Sequence, residues 1–92
     1  MPEIRVRLPN MLAQFADNQR AFCVTAGSVQ EALDAAFGAF PMLRAHLQDE
    51  SGAQRPHVNV YYNDTEVREL GSFDRPVREG DEITIIQSVS GG

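Results

Sequence analysis

The residues best suited to chemistry lie at the carboxyl end of the sequence, which reads Val89-Ser90-Gly91-Gly92. Glycine has no Cβ, so a glycine carboxylate can approach a reactive group without steric hindrance. Residues 88–92 carry no large side chain apart from Val89. We therefore expect a flexible tail over residues 88–92 that can thread a narrow channel and bring the Gly92 carboxylate close to a reactive group. A frayed chain end is the alternative interpretation of the same residues.

Conventional catalytic and metal-binding groups are few and scattered. The single cysteine, Cys23, excludes an internal disulfide and a Cys-only metal site, and it lies far along the chain from His46 and His57. The acidic residues at 49–50 and 79–82 are typical of solvated loops. The sequence contains no phosphate-binding glycine motif, no G-x-S-x-G and no H-E-x-x-H. It therefore predicts no metal site, no bound cofactor and no enzyme active site.

Composition and charge narrow the class of partner. The 92 residues carry a formal net charge of −5, which argues against binding to nucleic acid or to an anionic membrane surface. The chain has neither an apolar run of the ~18–20 residues that a membrane helix needs nor a signal peptide, so we expect a cytoplasmic protein. All eight basic residues are arginines. Genome base composition explains the missing lysines, or else lysine is avoided because its amine would capture a reactive acyl group.

Hydrophobic periodicity predicts the elements that must position this tail. Alternation with period two indicates strands that bury one face, at residues 3–8, 21–26, 58–63 and 82–87, with a short return strand at 65–68 around Val67. Ser28 and Glu31 have the spacing of a capping box, and they begin an amphipathic helix that ends near Phe40, before Pro41. A further short helical turn is predicted after Pro41.

The remaining connections complete a two-layer domain over residues 1–87. Leu70 and Phe73 are predicted to anchor an irregular crossing in the core, and Gly80 suits a turn that requires positive φ. One main helix on one face of a mixed sheet of four to five strands is an α+β arrangement. The single helical crossing between the second and third strands suits a β-grasp fold, with the last strand parallel to the first in the middle of the sheet.

Three segments together resemble the ubiquitin-like sulfur carriers: residues 58–64 (VNVYYND), 78–83 (REGDEI) and 89–92 (VSGG). That family includes the small subunit of molybdopterin synthase and the sulfur carriers of the thiamine and cysteine pathways. The resemblance implies that a ubiquitin-activating-like enzyme adenylates the Gly92 carboxylate with ATP. Sulfur then displaces AMP to leave a thiocarboxylate, with Gly91 as the slender neighbour. ATP and the catalytic residues would belong to the partner, so the chain would be a co-substrate and not an enzyme.

The resemblance also implies a docking face on the side of the sheet away from the helix. Alternation places Arg5, Arg7, Tyr61, Thr84 and Ile86 on that face, and Val89 would enter the partner's channel. Exposed aromatic and aliphatic side chains of this kind are favoured in binding patches.

The pathway served by such a carrier stays open. The polar segment 48–56 and the Glu66-Val67-Arg68 segment slightly favour a cysteine-pathway carrier over the molybdopterin synthase subunit. The downstream partner would be a sulfur-accepting synthase in either case. Two alternatives remain: a ubiquitin-like covalent protein modifier, which the missing lysines also fit, and a non-covalent β-grasp interaction domain.

Overall fold

The computed structural model describes residues 1–87, and the predicted tail at residues 88–92 lies outside the described residues. Within residues 1–87 the strands form a single mixed sheet in the order β2-β1-β5-β3-β4. The strands are β1 (Glu3–Arg7), β2 (Ala21–Thr25), β3 (Val58–Tyr62), β4 (Thr65–Glu66) and β5 (Glu82–Gln87). β5 runs parallel to β1 and antiparallel to β3. The predicted β-grasp arrangement, with the last strand central and parallel to the first, is confirmed.

The described helices are α1 (Asn10–Ala13), α2 (Val29–Ala39), α3 (Pro41–Leu47) and a 3-10 helix at Val67–Leu70. The capping box at the start of α2 is confirmed. The Ser28 Oγ accepts from the Glu31 N–H at 3.2 Å, and the Glu31 carboxylate accepts from the Gly27 N–H at 2.8 Å. Pro41 begins α3 at its first turn, where the missing N–H has no intrahelical partner in any case.

One core lies between α2, α3 and the inner face of the sheet. The buried positions of the strands are those that the alternation predicts, since every second residue faces the helices. The buried members of the sheet and of α2 are Ile4, Val6, Val58, Val60, Ile83, Ile85, Val29, Ala32, Leu33, Ala36 and Phe37. This packing leaves the opposite face of the sheet uncovered by helices.

Two predictions between β3 and β5 were wrong. Val67 is not the centre of a return strand, because β4 ends at Glu66, whose carboxylate accepts from the Arg68 N–H at 2.9 Å and turns the chain into the 3-10 helix. Phe73 is not a core anchor, since it is 38% exposed. Its carbonyl accepts from the Gln30 N–H at 2.9 Å, and Val77, only 6% exposed, fills the core instead. Leu70 does pack against the core, half-buried.

Candidate functional site

The open face of the sheet brings the predicted docking residues together. Register places Arg7 beside Thr84, and Thr84 beside Tyr61, so these three form one row across β1, β5 and β3. Arg5 lies beside Glu82 in the next row. Because the side chains at these positions all point away from the helices, their placement on one face agrees with the alternation.

Ile86 is the apolar centre of this face. It lies opposite Asn59, one step diagonal from Tyr61, and is 45% exposed. The other exposed large apolar residues of the described chain, Met1, Met11, Met42 and Phe73, lie outside the strands. An isoleucine exposed on a sheet face, diagonal to a half-buried tyrosine and to Arg7, has the mixed character of a binding patch.

The arginines at this patch have few fixed partners. Arg7 Nη1 lies 3.7 Å from Glu82 Oε2, and both side chains are largely exposed. An exposed pair of this kind contributes roughly 0–1 kcal/mol to stability. Arg7 is therefore held only weakly by Glu82.

Arg68 fixes the end of the sheet from which the tail departs. Gln87, the last described residue, pairs with Val58 across β5 and β3. The Val58 carbonyl accepts from Arg68 Nη2 at 3.1 Å and from Gln54 Nε2 at 2.6 Å. Arg68 Nη1 also donates to Asn59 Oδ1 at 3.3 Å. This guanidinium therefore occupies the edge of β3 where the two-residue β4 stops, and it holds the partner strand of Gln87 in place.

The opposite end of the sheet is fixed by Asn63 and Asp81. The Asn63 N–H donates to the Glu82 carbonyl at 2.8 Å, and the Asn63 side-chain oxygen accepts from the Glu82 N–H at 3.0 Å. The Asp81 carboxylate accepts from the Tyr62 hydroxyl and, at 2.8 Å, from the Arg78 N–H. The two segments that carried most of the sequence resemblance, 58–64 and 78–83, thus set the register of β5.

The turn before β5 needs an unusual backbone. Gly80 has φ of 87°, which confirms the predicted positive φ, and Asn63 has φ of 53° in the facing turn. Glycine and asparagine tolerate this left-handed region better than other residues. The Gly80 N–H donates to the Glu3 carbonyl at 3.1 Å, so the turn is also tied to the start of β1.

The pKa values of Tyr62 and Asp81 indicate that their hydrogen bond has a structural role. The hydrogen bond from Tyr62 is the main reason that the pKa of Asp81 lies below its ordinary value. Burial is the main reason that the pKa of Tyr62 is raised, and the bond to the Asp81 carboxylate adds to it. Asp81 is therefore ionised and acts as an acceptor near neutral pH, which leaves it poorly suited to proton transfer.

The remaining chemistry-bearing residues do not converge. Cys23 is exposed on β2 beside Arg5, and the His46 ring stacks on Phe15 with centroids 4.1 Å apart. Within residues 1–87 no three His, Cys, Asp or Glu side chains are grouped so as to hold a metal ion. None of the helices in that range is long and apolar enough to cross a membrane.

Comparison with known proteins places this domain in a family. The ThiS family profile matches residues 6–92, which includes the terminal Gly91-Gly92. This chain belongs to the ThiS family. The match covers nearly the whole sequence, so membership rests on the complete domain and not on one motif. ThiS family members are ubiquitin-like sulfur carriers, as the sequence resemblance indicated.

Individual relatives agree with this assignment. The sulfur carrier protein CysO of Mycobacterium tuberculosis is 30% identical over 94 residues, covering 97% of this chain and 98% of that protein. A chain of the Amycolatopsis orientalis BexX/CysO complex is 28% identical with a TM-score of 0.83, over 97% of this chain and 99% of that one. SAMP1 of Haloferax volcanii, small archaeal modifier protein 1, is 29% identical with a TM-score of 0.81, over 98% and 99%.

The sheet of this ThiS family chain brings Arg5, Arg7, Tyr61 and Ile86 to one face, while Val89, Gly91 and Gly92 lie outside the described residues. Sequence reasoning missed Arg68, although it singled out the segment 66–68. The available signal was an arginine two residues after the end of a very short return strand, but its target, Val58, lies ten residues earlier.

Proposed function

We propose that this protein carries sulfur as a thiocarboxylate on Gly92. The observation that supports the proposal most strongly is the end-to-end similarity to the sulfur carrier protein CysO, within a family match that runs through residue 92. The chain acts as a co-substrate in this scheme. An activating enzyme of the ubiquitin-activating type binds ATP and supplies the catalytic residues.

Two steps load the sulfur. A Gly92 carboxylate oxygen attacks the α-phosphorus of ATP, which forms an acyl adenylate and releases pyrophosphate. Hydrosulfide then attacks the acyl carbon, AMP leaves with the bonding electron pair, and loss of a proton gives the thiocarboxylate. A protein persulfide can replace hydrosulfide if a thiol then reduces the resulting acyl disulfide. Adenylation is needed because a free carboxylate has no adequate leaving group.

The open face is the docking surface in this proposal. Arg5, Arg7, Tyr61 and Ile86 bind the activating enzyme and then the sulfur-accepting synthase, and Val89 enters the partner's channel. β5 supports this arrangement because it leads from Ile86 directly to Gln87 and the tail. Gly92 lies six residue steps after Ile86, a span of at most about 22 Å. A partner's active site must therefore lie within that distance of its contact with Ile86.

Removal of the tail tests the proposal. A variant lacking Gly91-Gly92 keeps every strand and helix of residues 1–87, so its far-ultraviolet circular dichroism and melting temperature should match the wild type. Its sulfur loading should be abolished. Sulfur loading retained by the shortened chain would contradict the assignment of Gly92 as the loading site.

A cysteine-forming synthase is favoured as acceptor over molybdopterin synthase by the segments 48–56 and 66–68. A specific observation also supports covalent protein modification as a second candidate function. Small archaeal modifier protein 1 of Haloferax volcanii is 34% identical over 65 residues, covering 71% of this chain and 70% of that protein. In that case the acyl adenylate would pass Gly92 to a target lysine. Adducts of high molecular mass in native lysate, lost when Gly92 is removed, would identify this use. A non-covalent interaction domain would instead be indifferent to loss of the tail.

A further inference from the structure

The two edges of the sheet are built differently. At one edge β4 has only two residues, Thr65 and Glu66, and the Arg68 side chain caps the exposed stretch of β3. At the other edge β2 is a five-residue strand, AFCVT, without a charge or a proline. Proteins commonly protect edge strands with charges, prolines, bulges or short length. β4 has such protection and β2 has none of these devices.

The backbone of β2 presents its free groups outward. The Arg20 carbonyl accepts from the Leu8 N–H at 2.8 Å, and the Ala26 N–H donates to the Pro2 carbonyl at 3.0 Å. Both residues bracket β2 and bond towards β1. Because this direction alternates along an antiparallel strand, the N–H and C=O groups of Ala21, Cys23 and Thr25 point away from β1. Within residues 1–87 these groups have no hydrogen-bond partner.

We propose that β2 pairs with β2 of a second copy of this chain, antiparallel and about a two-fold axis at Cys23. Cys23 is the middle residue of the strand, so the axis pairs Ala21 of one copy with Thr25 of the other. The outward N–H and C=O groups of Cys23 then bond to those of its own equivalent. The two sheets become one continuous sheet through an isologous contact.

Side chains on the helix side of β2 favour a second copy as the occupant. Phe22 and Val24 are only half-buried there, and the Phe40 ring meets Phe22 edge-on with centroids 4.9 Å apart. The two-fold register places Phe22 opposite Val24 of the other copy. Aromatic and β-branched side chains are a favourable cross-strand pair, so each copy covers the exposed apolar surface of the other.

Charges at the ends of the strand are complementary in the same register. Arg20 lies opposite Leu8 and hence on the helix side, and it would face Ala26 of the second copy. The next residue, Gly27, holds the Glu31 carboxylate at 2.8 Å. An arginine and a glutamate therefore face each other at both ends of the contact. One short strand pair buries less than the ~1,200 Å² of stable interfaces, so a Kd on the order of 1 mM is expected.

Cys23 provides the test, on the full-length chain. Two Cys23 thiols in a hydrogen-bonded antiparallel pair have Cα atoms about 5.5 Å apart, within the range that a disulfide needs. An azo oxidant such as diamide removes two electrons and two protons to form that bond and is itself reduced to the hydrazine. We expect rapid conversion to a covalent dimer at millimolar protein concentration.

Two variants in a Cys23→Ser background test the register. Ala21→Cys alone places the two thiols about 13 Å apart across the pair. It should crosslink at least roughly tenfold more slowly than wild type, because the dimer does not hold one thiol at a high effective concentration beside the other. Ala21→Cys combined with Thr25→Cys should recover rapid crosslinking.

Sedimentation of wild type should show a reversible dimer that Cys23→Asp abolishes while circular dichroism is unchanged. A monomer at millimolar concentration, or equal crosslinking of Ala21→Cys and wild type, would overturn the proposal.

Discussion

The guanidinium of Arg68 donates to the Val58 carbonyl at 3.1 Å, and Val58 pairs with Gln87, the last described residue before the tail. The chain's proposed working end therefore departs from a strand pair that one arginine secures. β4 has only two residues, so its backbone does not reach the Val58 end of β3. Arg68 thus supplies hydrogen bonds to an edge that the backbone leaves unpaired.

Replacing Arg68 should loosen this end of the sheet. Arg68→Gln removes the bonds to Val58 and Asn59, and because Arg68 is partly exposed we expect a loss of about 1 kcal/mol in the free energy of unfolding. Arg44→Gln is the control, since Arg44 is an exposed arginine of α3 with no side-chain hydrogen bond among the described residues. Urea unfolding gives the stabilities. Amide hydrogen exchange should accelerate at the Val58–Gln87 end in Arg68→Gln alone, and uniform exchange in both variants would refute this role.

The Tyr62–Asp81 bond predicts how stability depends on pH. The pKa of Asp81 is lowered in the folded protein, chiefly by the Tyr62 hydroxyl, so its contribution is present above the ordinary carboxyl pKa and is lost as pH falls through the lowered value. The pKa of Tyr62 is raised, chiefly by burial, so its contribution is present below the ordinary phenol pKa and is lost as pH rises through the raised value.

Tyr62→Phe tests this dependence by removing the hydroxyl. Near pH 7 the variant should be less stable by about 1 kcal/mol, a modest value because the pair is partly exposed. The difference from wild type should shrink as pH falls below the ordinary carboxyl pKa and through the lowered pKa of Asp81, where its carboxylate takes up a proton. Urea unfolding from pH 2 to pH 7 measures both curves. Curves that stay parallel down to pH 2 would show that the hydroxyl does not hold the Asp81 carboxylate.

Local sequence patterns predict much of the fold, and the exceptions depend on contacts between distant residues. The strands follow from alternation because one side of the sheet is buried, and α2 follows from Ser28, Glu31 and the apolar stripe. The strand predicted around Val67 is a 3-10 turn, because an apolar residue between polar ones looks the same in both. The apolar character of Phe73 predicts a core residue, whereas its segment is held through the Phe73 carbonyl, which accepts from the Gln30 N–H.

The candidate site likewise has residues that the sequence pattern places correctly and a residue whose role it does not predict. Alternation was sufficient to place Arg5, Arg7, Tyr61 and Ile86 on one face. The contribution of Arg68 was not accessible to it, because the hydrogen-bond partners of a side chain depend on which strands are neighbours. The free edge of β2 likewise becomes visible only once the strand order is known.

The open face predicts a selective effect of Ile86 on loading. Ile86→Asp places a charge at the apolar centre of the proposed docking surface and should lower the kcat/KM of sulfur loading by roughly 30-fold, the effect of one interface hot spot. Met42→Asp is the matched control, since Met42 is 55% exposed on α3, away from this face. Both variants should melt within a few degrees of wild type. Equal losses of loading in the two variants would argue against this face as the docking surface.

The absence of lysine predicts the fate of an introduced amine. Arg7→Lys keeps the charge but places an amine beside Thr84, three residues before the end of β5. The activated Gly92 acyl group should be captured by this amine, giving an internal amide with the mass of the free acid less one water. Arg78→Lys, at the opposite end of β5, is the control and should form less of this product. If both lysine variants keep the thiocarboxylate as long as wild type, genome base composition is the better explanation of the missing lysines.

The most direct test is the intact mass of the protein after incubation with ATP, sulfide and the host's activating enzyme. The enzyme is first shown to be active on another carrier. The proposal predicts a mass gain equal to the replacement of one oxygen by sulfur, with fragmentation placing the sulfur on Gly92. It also predicts that omission of ATP prevents the gain. An unchanged mass with the host's own activating enzyme would contradict the sulfur-carrier account and favour protein modification or non-covalent binding.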